Sequence, residues 1–379
     1  MQRYPNYDDF VHYIHNDDKV LQALNHSKFS PDILTQQDNA GWTLLMISCK
    51  YNYKSAQHIL NHPYFTSDML NAKSNAGSTP LMIACKYNHK SVQCILNHPY
   101  FTPDMFTQQD NARWTPLMIA CEHNDQSVQY ILNHPHFIPD MLNVKNNDGW
   151  TPLMIACQHN HQSIQCILNN SKFSPDMLNF SDDDGWTAFV IACQYNHQSA
   201  ECILDHDTFI PDMLDVKDDQ GWTPLMIACQ FIHDCDLIKK IISMCSIDIL
   251  KSKCNKFNIN TIKTNNPMKK YAANGGQTFL HILAIFNSKI FFEIKNIMEF
   301  DLLNIVDNSG LVCSHYVSSD TMCLDTFKLS CPICLDKSDD TYIYNPCGHT
   351  ICGNCSKSYN KSICHMCKSH VSSKTKIYL

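Results

Sequence analysis

The sequence predicts a mainly α-helical chain, a solenoid of 36-residue helical units followed by a small domain clasped by cysteines. Two observations predict it. Thr43, Thr79, Thr115, Thr151, Thr187 and Thr223 recur at an unbroken spacing of 36 residues. Near the C-terminus, seven of the 21 cysteines gather with one histidine in closely spaced pairs.

Each element of the repeated unit has a local cause. Around every Thr the wording is nearly constant, as in Gly149-Trp150-Thr151-Pro152-Leu153-Met154-Ile155-Ala156-Cys157. The Thr hydroxyl can cap a helix N-terminus, and Pro at the next position has no N–H to leave unpaired. The apolar run that follows reads as a short, wholly buried first helix. Asn52, Asn88, Asn124, Asn160 and Asn196 come next at one position. There Asn is expected to end the helix in the left-handed conformation. A second helix carries pairs such as Ile95-Leu96 and Ile167-Leu168, and an Asp/Asn/Gly-rich turn leads to the next Thr.

This wording resembles the ankyrin-repeat family, whose signature is T-P-L-H-x-A on a slightly shorter period. The resemblance runs over roughly residues 7–322. Residues 7–40 fit in phase without the Thr, as a capping unit would; Thr278-Phe279-Leu280-His281 opens a late repeat, and 310–316 reads as a degenerate last one. Met46, Met82, Met118, Met154 and Met226, with Val190, replace the family's His, which predicts the loss of a hydrogen bond in the turn. The three extra residues per unit are expected in His-Pro segments such as 97–104. The phase breaks between Cys245 and Gly276, where an Asn/Lys-rich stretch reads as an exposed insertion. The domains are therefore 1–244 (repeats with their cap), 245–276 (insertion), 277–322 (terminal repeat and degenerate cap) and 323–379 (the cysteine module with its tail).

All five tryptophans, Trp42, Trp114, Trp150, Trp186 and Trp222, stand one residue before the repeated Thr. Tyr51, Tyr87 and Tyr195 share a position two residues after the repeated Cys, with His123, His159 and Phe231 in the other units. By the resemblance both positions lie on the concave side that contacts partners, so an aromatic strip there would anchor a protein substrate. Tryptophan rings stacked on one another to stiffen the solenoid would give the same pattern. His89, His161 and His197 fall at a position that is structural in the family.

The C-terminal ligands read Cys331-x2-Cys334-x12-Cys347-x-His349-x2-Cys352-x2-Cys355-x8-Cys364-x2-Cys367. Four pairs supply eight ligands, enough for two closed tetrahedral Zn2+ sites with no open position to activate water. About fifty residues bury too little apolar surface to fold alone, and zinc contributes roughly 10–16 kcal/mol of apparent binding energy to folding. Three Cys, one His and four Cys in that order resemble the RING finger; a PHD finger would put the His fifth, and a LIM domain would space the pairs differently. The resemblance implies interleaved sites: Cys331, Cys334, Cys352 and Cys355 hold one zinc, and Cys347, His349, Cys364 and Cys367 the other. It also implies that the module recruits a ubiquitin-charged conjugating enzyme and orients its thioester without a covalent intermediate. Ile333 and Tyr359 would contact that enzyme, and Lys368 would bridge it to ubiquitin. One departure stands out: Cys364-His365-Met366-Cys367 lacks the Pro usual after the seventh ligand. The ending Ile377-Tyr378-Leu379 is similar to tails of inhibitor-of-apoptosis-type RINGs, which pack in a RING homodimer; an incidental frayed end is the bland reading.

Composition bounds the remainder. The chain carries a net charge of −7, while 331–379 sets six Lys against three Asp, so the repeats are strongly acidic and no nucleic acid is expected as main ligand. The start, MQRYPNYDDF, has no signal-peptide core, and the longest strongly apolar run, Phe279–Phe286, is too short to cross a membrane. A soluble, reducing and cytoplasmic setting is expected. No nucleophilic triad, phosphate loop or paired-carboxylate site is legible. The expected function is a RING-type ubiquitin ligase whose repeats select the substrate. The alternative is a non-enzymatic ankyrin adaptor. The Asn/Ile/Lys-rich wording is similar to ankyrin proteins of giant DNA viruses of amoebae, which would make the partner a host protein.

Overall fold

The repeated apolar run folds as a short helix in every unit of the computed structural model, which describes residues 6–255, 274–317, 340–345, 350–352 and 373–378. The chain divides into two compact units, 1–209 and 210–379.

In the first unit the first helices are Leu44–Tyr51, Pro80–Tyr87, Pro116–His123, Pro152–His159 and Ala188–Tyr195. Each is answered by a second helix: Tyr53–Leu60, His89–Leu96, Asp125–Leu132, His161–Leu168 and His197–Leu204. Helices Tyr7–Tyr13 and Asp17–Leu24 precede them. A first helix is buried on every side, as Pro152 to Cys157 are, because it packs between the first helices before and after it. A second helix is amphipathic and turns Ile164, Ile167 and Leu168 inward. Burying a Leu, Ile or Met contributes roughly 1.5–3 kcal/mol, against about 1 kcal/mol for a helix cap. Packing therefore fixes the stack, and the caps fix where each helix begins.

Those caps form at five Thr residues. Thr43, Thr79, Thr115, Thr151 and Thr223 each accept from the backbone N–H three residues on, at 3.3–3.4 Å. Thr187 does not, and its hydroxyl is buried without a partner. Two expectations need correction. Asn52, Asn88, Asn124, Asn160 and Asn196 are not left-handed; each is extended, with φ −149 to −157 and ψ 97 to 103. Their side chains cap the second helix instead, as Asn88 Oδ1 does by accepting from Lys90 N at 3.1 Å. The family's turn hydrogen bond is likewise not simply lost where Met replaces His. Thr79, Thr115 and Thr151 donate their backbone N–H to the sulfur of Met82, Met118 and Met154 at 3.4–3.5 Å.

After each second helix the chain makes a tight turn and a further short helix, such as Pro103–Phe106 with Met105 and Phe106 buried. The His-Pro histidine fastens this segment. His98 Nε2 donates to the Leu60 carbonyl at 3.2 Å, while its Nδ1 accepts from Tyr100 N at 3.2 Å.

The second unit opens with Pro211–Leu214, Pro224–Phe231 and Cys235–Met244. Ile247–Lys251 is helical, so the Asn/Lys-rich stretch contains an ordered start. Cys254 N donates to the Gln277 carbonyl at 3.0 Å and Gly276 N to the Cys254 carbonyl at 2.8 Å. These bonds close the base of the insertion, whose residues 256–273 lie outside the described residues. Helices Phe279–Phe286, Ser288–Lys295 and Phe300–Leu303 follow. The segment read as a degenerate repeat places Leu311, Cys313 and Tyr316 in the core, with the Tyr316 hydroxyl donating to Asp307. Three strands complete the unit: β1 (Asp340–Asn345), β2 (Thr350–Cys352) and β3 (Ser373–Tyr378), antiparallel in the order β2-β1-β3. No helix among the described residues is long and apolar enough to cross a membrane.

Candidate functional site

The turns before each first helix position the tryptophans. Asp38, Asp110, Asn146, Asp182 and Asp218 accept the Trp backbone N–H four residues on, at 2.8–2.9 Å. Gly149, in its turn, has φ +76, and a Cβ there would lie 2.6 Å from Asp183 Oδ1 of the next turn. Successive turns thus press backbone to backbone, as Asn111 N donating to Ala76 O at 3.0 Å also shows.

Trp42, Trp114, Trp150 and Trp186 are half-buried, and Trp222, in the second unit, is buried. Among the described residues of the first unit, ring contacts pair Phe, His and Tyr rather than one tryptophan with another. The Trp150 side chain instead lies close enough to the Asp182 carboxylate to favour its charged form. Burial raises the Asp182 carboxyl above its ordinary range, and the Trp186 and Asp184 N–H groups oppose the rise. Tyr51, Tyr87 and Tyr195 are exposed.

Two stretches of this face differ in charge. Lys50 places its ammonium 5.5 Å from the Trp42 ring centre, 4.7 Å from that of Tyr51 and 4.8 Å from that of Tyr87. Two units on, Glu122 holds the same position of the repeat, and a cleft of about 540 Å3 opens between Trp114 and Trp150, lined also by His159, Asp148 and Asp183. Glu122 and these aspartates were not singled out in the sequence. Their signal was there: the residue after the repeated Cys reads Lys50, Lys86, Glu122, Gln158, Gln194 and Gln230, a variable position inside constant wording.

The repeated thiols are no second site. Cys49, Cys85, Cys121, Cys157 and Cys193 are fully buried, and desolvation pushes each thiol far up, so they pack as small hydrophobes.

Of the expected zinc ligands the structure describes only Cys352, the last residue of β2, aligned with Thr341 of β1. Cys347 and His349 fall in sequence between β1 and β2 and lie outside the described residues. Cys331, Cys334, Cys355, Cys364 and Cys367 lie outside the described residues, as do Ile333, Tyr359, Lys368 and Leu379. Among the described residues no group of three or more His, Cys, Asp or Glu gathers around a metal-sized space. The donor set itself fits zinc, since seven thiols and one imidazole complete two N/S tetrahedra without water. The tail is not a loose end: Ile377 and Tyr378 close β3, paired with Thr341 and Asp340.

Comparison with known families agrees with both halves. The family described as ankyrin repeats (three copies) matches residues 10–105, 100–179 and 165–253. The C3HC4-type zinc finger, or RING finger, matches residues 327–374, and a RING finger implies zinc binding. No curated protein matches the chain. More than half of the chain lies within the ankyrin matches, so it belongs to the ankyrin-repeat family and carries a RING-type zinc finger at its C-terminal end.

Proposed function

We propose that the protein is a RING-type ubiquitin-protein ligase that binds its protein substrate on the ankyrin repeats. The observation that carries this is the joining, in one chain, of a repeat surface suited to protein binding and eight ligands in RING order. Two Zn2+ ions would be held, one by Cys331, Cys334, Cys352 and Cys355, the other by Cys347, His349, Cys364 and Cys367. With every position filled by protein, the metals supply fold, and the protein surface supplies the chemistry. Ile333 and Tyr359 receive the conjugating enzyme, and Lys368 bridges it to ubiquitin. Catalysis is then proximity and orientation of the thioester, with no intermediate on this chain. The module takes 323–379, and Ile377, Tyr378 and Leu379 belong to a homodimer contact built on the third strand. The setting is cytoplasmic, in a host cell if the chain is viral.

A second reading, a non-enzymatic adaptor with a structural zinc module, is favoured by one observation: Pro is missing between Cys364 and Cys367. Purified protein assayed for self-ubiquitination with a panel of conjugating enzymes separates the two. Two zinc per chain and transfer abolished by His349→Ala, with the repeat helices melting as before, are expected. Fewer than two zinc in folded protein would overturn the ligand assignment, and no transfer with any enzyme would leave the adaptor.

A further inference from the structure

The tryptophan-bearing face supplies its own cation at one end and lacks one in the cleft between Trp114 and Trp150. In the N-terminal stretch the Lys50 ammonium stands among the rings of Trp42, Tyr51 and Tyr87, all within 5.5 Å of the ring centres. Cations are attracted to aromatic faces at such distances, more strongly as water is excluded. Lys86 repeats the arrangement more loosely, 5.7 Å from the Tyr87 ring. Because the units superimpose in register, Glu122 falls where those lysines stood, and Trp114 stands where Trp42 stood.

The space thus opened is the cleft of about 540 Å3 between Trp114 and Trp150, edged by Glu122, Asp148, Asp183 and Asp184. No lysine or arginine lines it. Arg113 is adjacent in sequence, but its Nε reaches Gln109 Oε1 at 3.5 Å. Glu122 has one partner, His123 Nε2 at 3.2 Å. Burial lowers the His123 pKa, against the Glu122 carboxylate, which raises it. The cleft is therefore lined by indole rings and carboxylates together, the two features that hold an ammonium or guanidinium.

We propose that this cleft receives a lysine or arginine side chain of the protein bound by the repeats, in the place that Lys50 fills internally two units earlier. The proposal deepens the substrate-binding reading of the repeats and does not require the ligase chemistry.

The test uses the full chain labelled with 15N at tryptophan. Capped Gly-Gly-Arg-Gly-Gly and Gly-Gly-Lys-Gly-Gly are titrated in, with Gly-Gly-norleucine-Gly-Gly as the uncharged counterpart. The Trp114 and Trp150 indole signals should move with the basic peptides and saturate in the millimolar range, while Trp42 stays still. Glu122→Lys, which restores the internal cation, should weaken the response at least tenfold; Glu122→Gln should weaken it less, with unchanged Trp42 and Trp186 signals reporting an intact fold. Equal shifts with norleucine, shifts spread over all five tryptophans, or a full response in Glu122→Lys would overturn the proposal. Wild-type protein that responds here yet transfers no ubiquitin loses the ligase reading and keeps the cleft; transfer without this response does the reverse.

Discussion

Two regions of the molecule make the same turn with different chemistry. In the units beginning at Thr79, Thr115 and Thr151, a methionine sulfur accepts the Thr N–H at 3.4–3.5 Å and goes no further. In the late repeat His281 does more. Its Nδ1 accepts from Thr278 N at 3.2 Å and meets the Thr278 hydroxyl at 2.9 Å, while Nε2 donates to the Leu311 carbonyl at 2.9 Å. The imidazole is fully buried and joins its own turn to the following one. The Met units have a complete first helix on either side, so burial alone joins them. Among the described residues the helix that follows the late repeat is the short Cys313–Tyr316, and there a polar bridge takes over part of the work. Where apolar area is plentiful a thioether suffices; where it runs short, directional bonds fill the gap.

The largest expected effect tests that difference by making one substitution in both places. His281→Leu leaves the Thr278 N–H buried without a partner and strips the Leu311 carbonyl of one of its two donors, Asp307 N remaining at 2.9 Å, at about 3 kcal/mol. Met154→Leu conserves volume but takes the weak sulfur acceptor from the buried Thr151 N–H, so it should cost about 1.5 kcal/mol, without the loss of a bond to the next turn. Hydrogen exchange of the 279–286 and 152–159 helices reads the two losses separately. Equal losses would mean that the His281 bridge contributes no more than the sulfur does.

How much of this was legible follows the same physics. The 36-residue period, the helices and the Thr caps were readable because each follows from residues within one turn of chain. The Asn positions were misread, since ending one helix and capping the next place the same residue type at the same point. The sulfur bond was missed because methionine looks purely apolar in a sequence. The cleft at Trp114 was missed for a different reason: Glu122, Asp148 and Asp183 come from three units and meet only after stacking. The zinc ligands are the reverse case: their assignment rests on spacing alone, and of the eight only Cys352 lies among the described residues.

A middle-sized effect separates two turns that look alike in sequence. Thr151 Oγ1 accepts from Met154 N at 3.4 Å, so Thr151→Val removes a cap and should cost roughly 1 kcal/mol. Thr187 precedes Val190, makes no cap and buries its hydroxyl unpaired. Thr187→Val keeps the shape and removes that hydroxyl, so stability should hold or rise by up to about 1 kcal/mol. The urea unfolding midpoint should therefore fall for Thr151→Val and stay or rise for Thr187→Val. A matching loss in both would show that Thr187 is capped in solution.

The smallest effect concerns the one turn of this series that departs from glycine. Gly77 and Gly149 take φ +80 and +76, and Arg113, at the same position between them, takes φ 61. An L-residue in that region costs about 1–2 kcal/mol, because its Cβ approaches the following carbonyl. The neighbours give way slightly: Asn147 N to Ala112 O is 3.2 Å, where Asn75 N to Ala40 O and Asn111 N to Ala76 O are 3.0 Å. Arg113→Gly relieves the conformation but frees the unfolded chain, which takes back roughly 0.5–1 kcal/mol. The net gain should be about 0.5 kcal/mol, or roughly 1–2 °C in melting temperature for a unit of this size. Gly149→Ala should lower stability instead, because its Cβ would fall 2.6 Å from Asp183 Oδ1 and 2.8 Å from Asp183 N. Should Arg113→Gly melt earlier than the parent, the Arg113 contact with Gln109 outweighs the strain, and the departure from glycine is a stabilising choice.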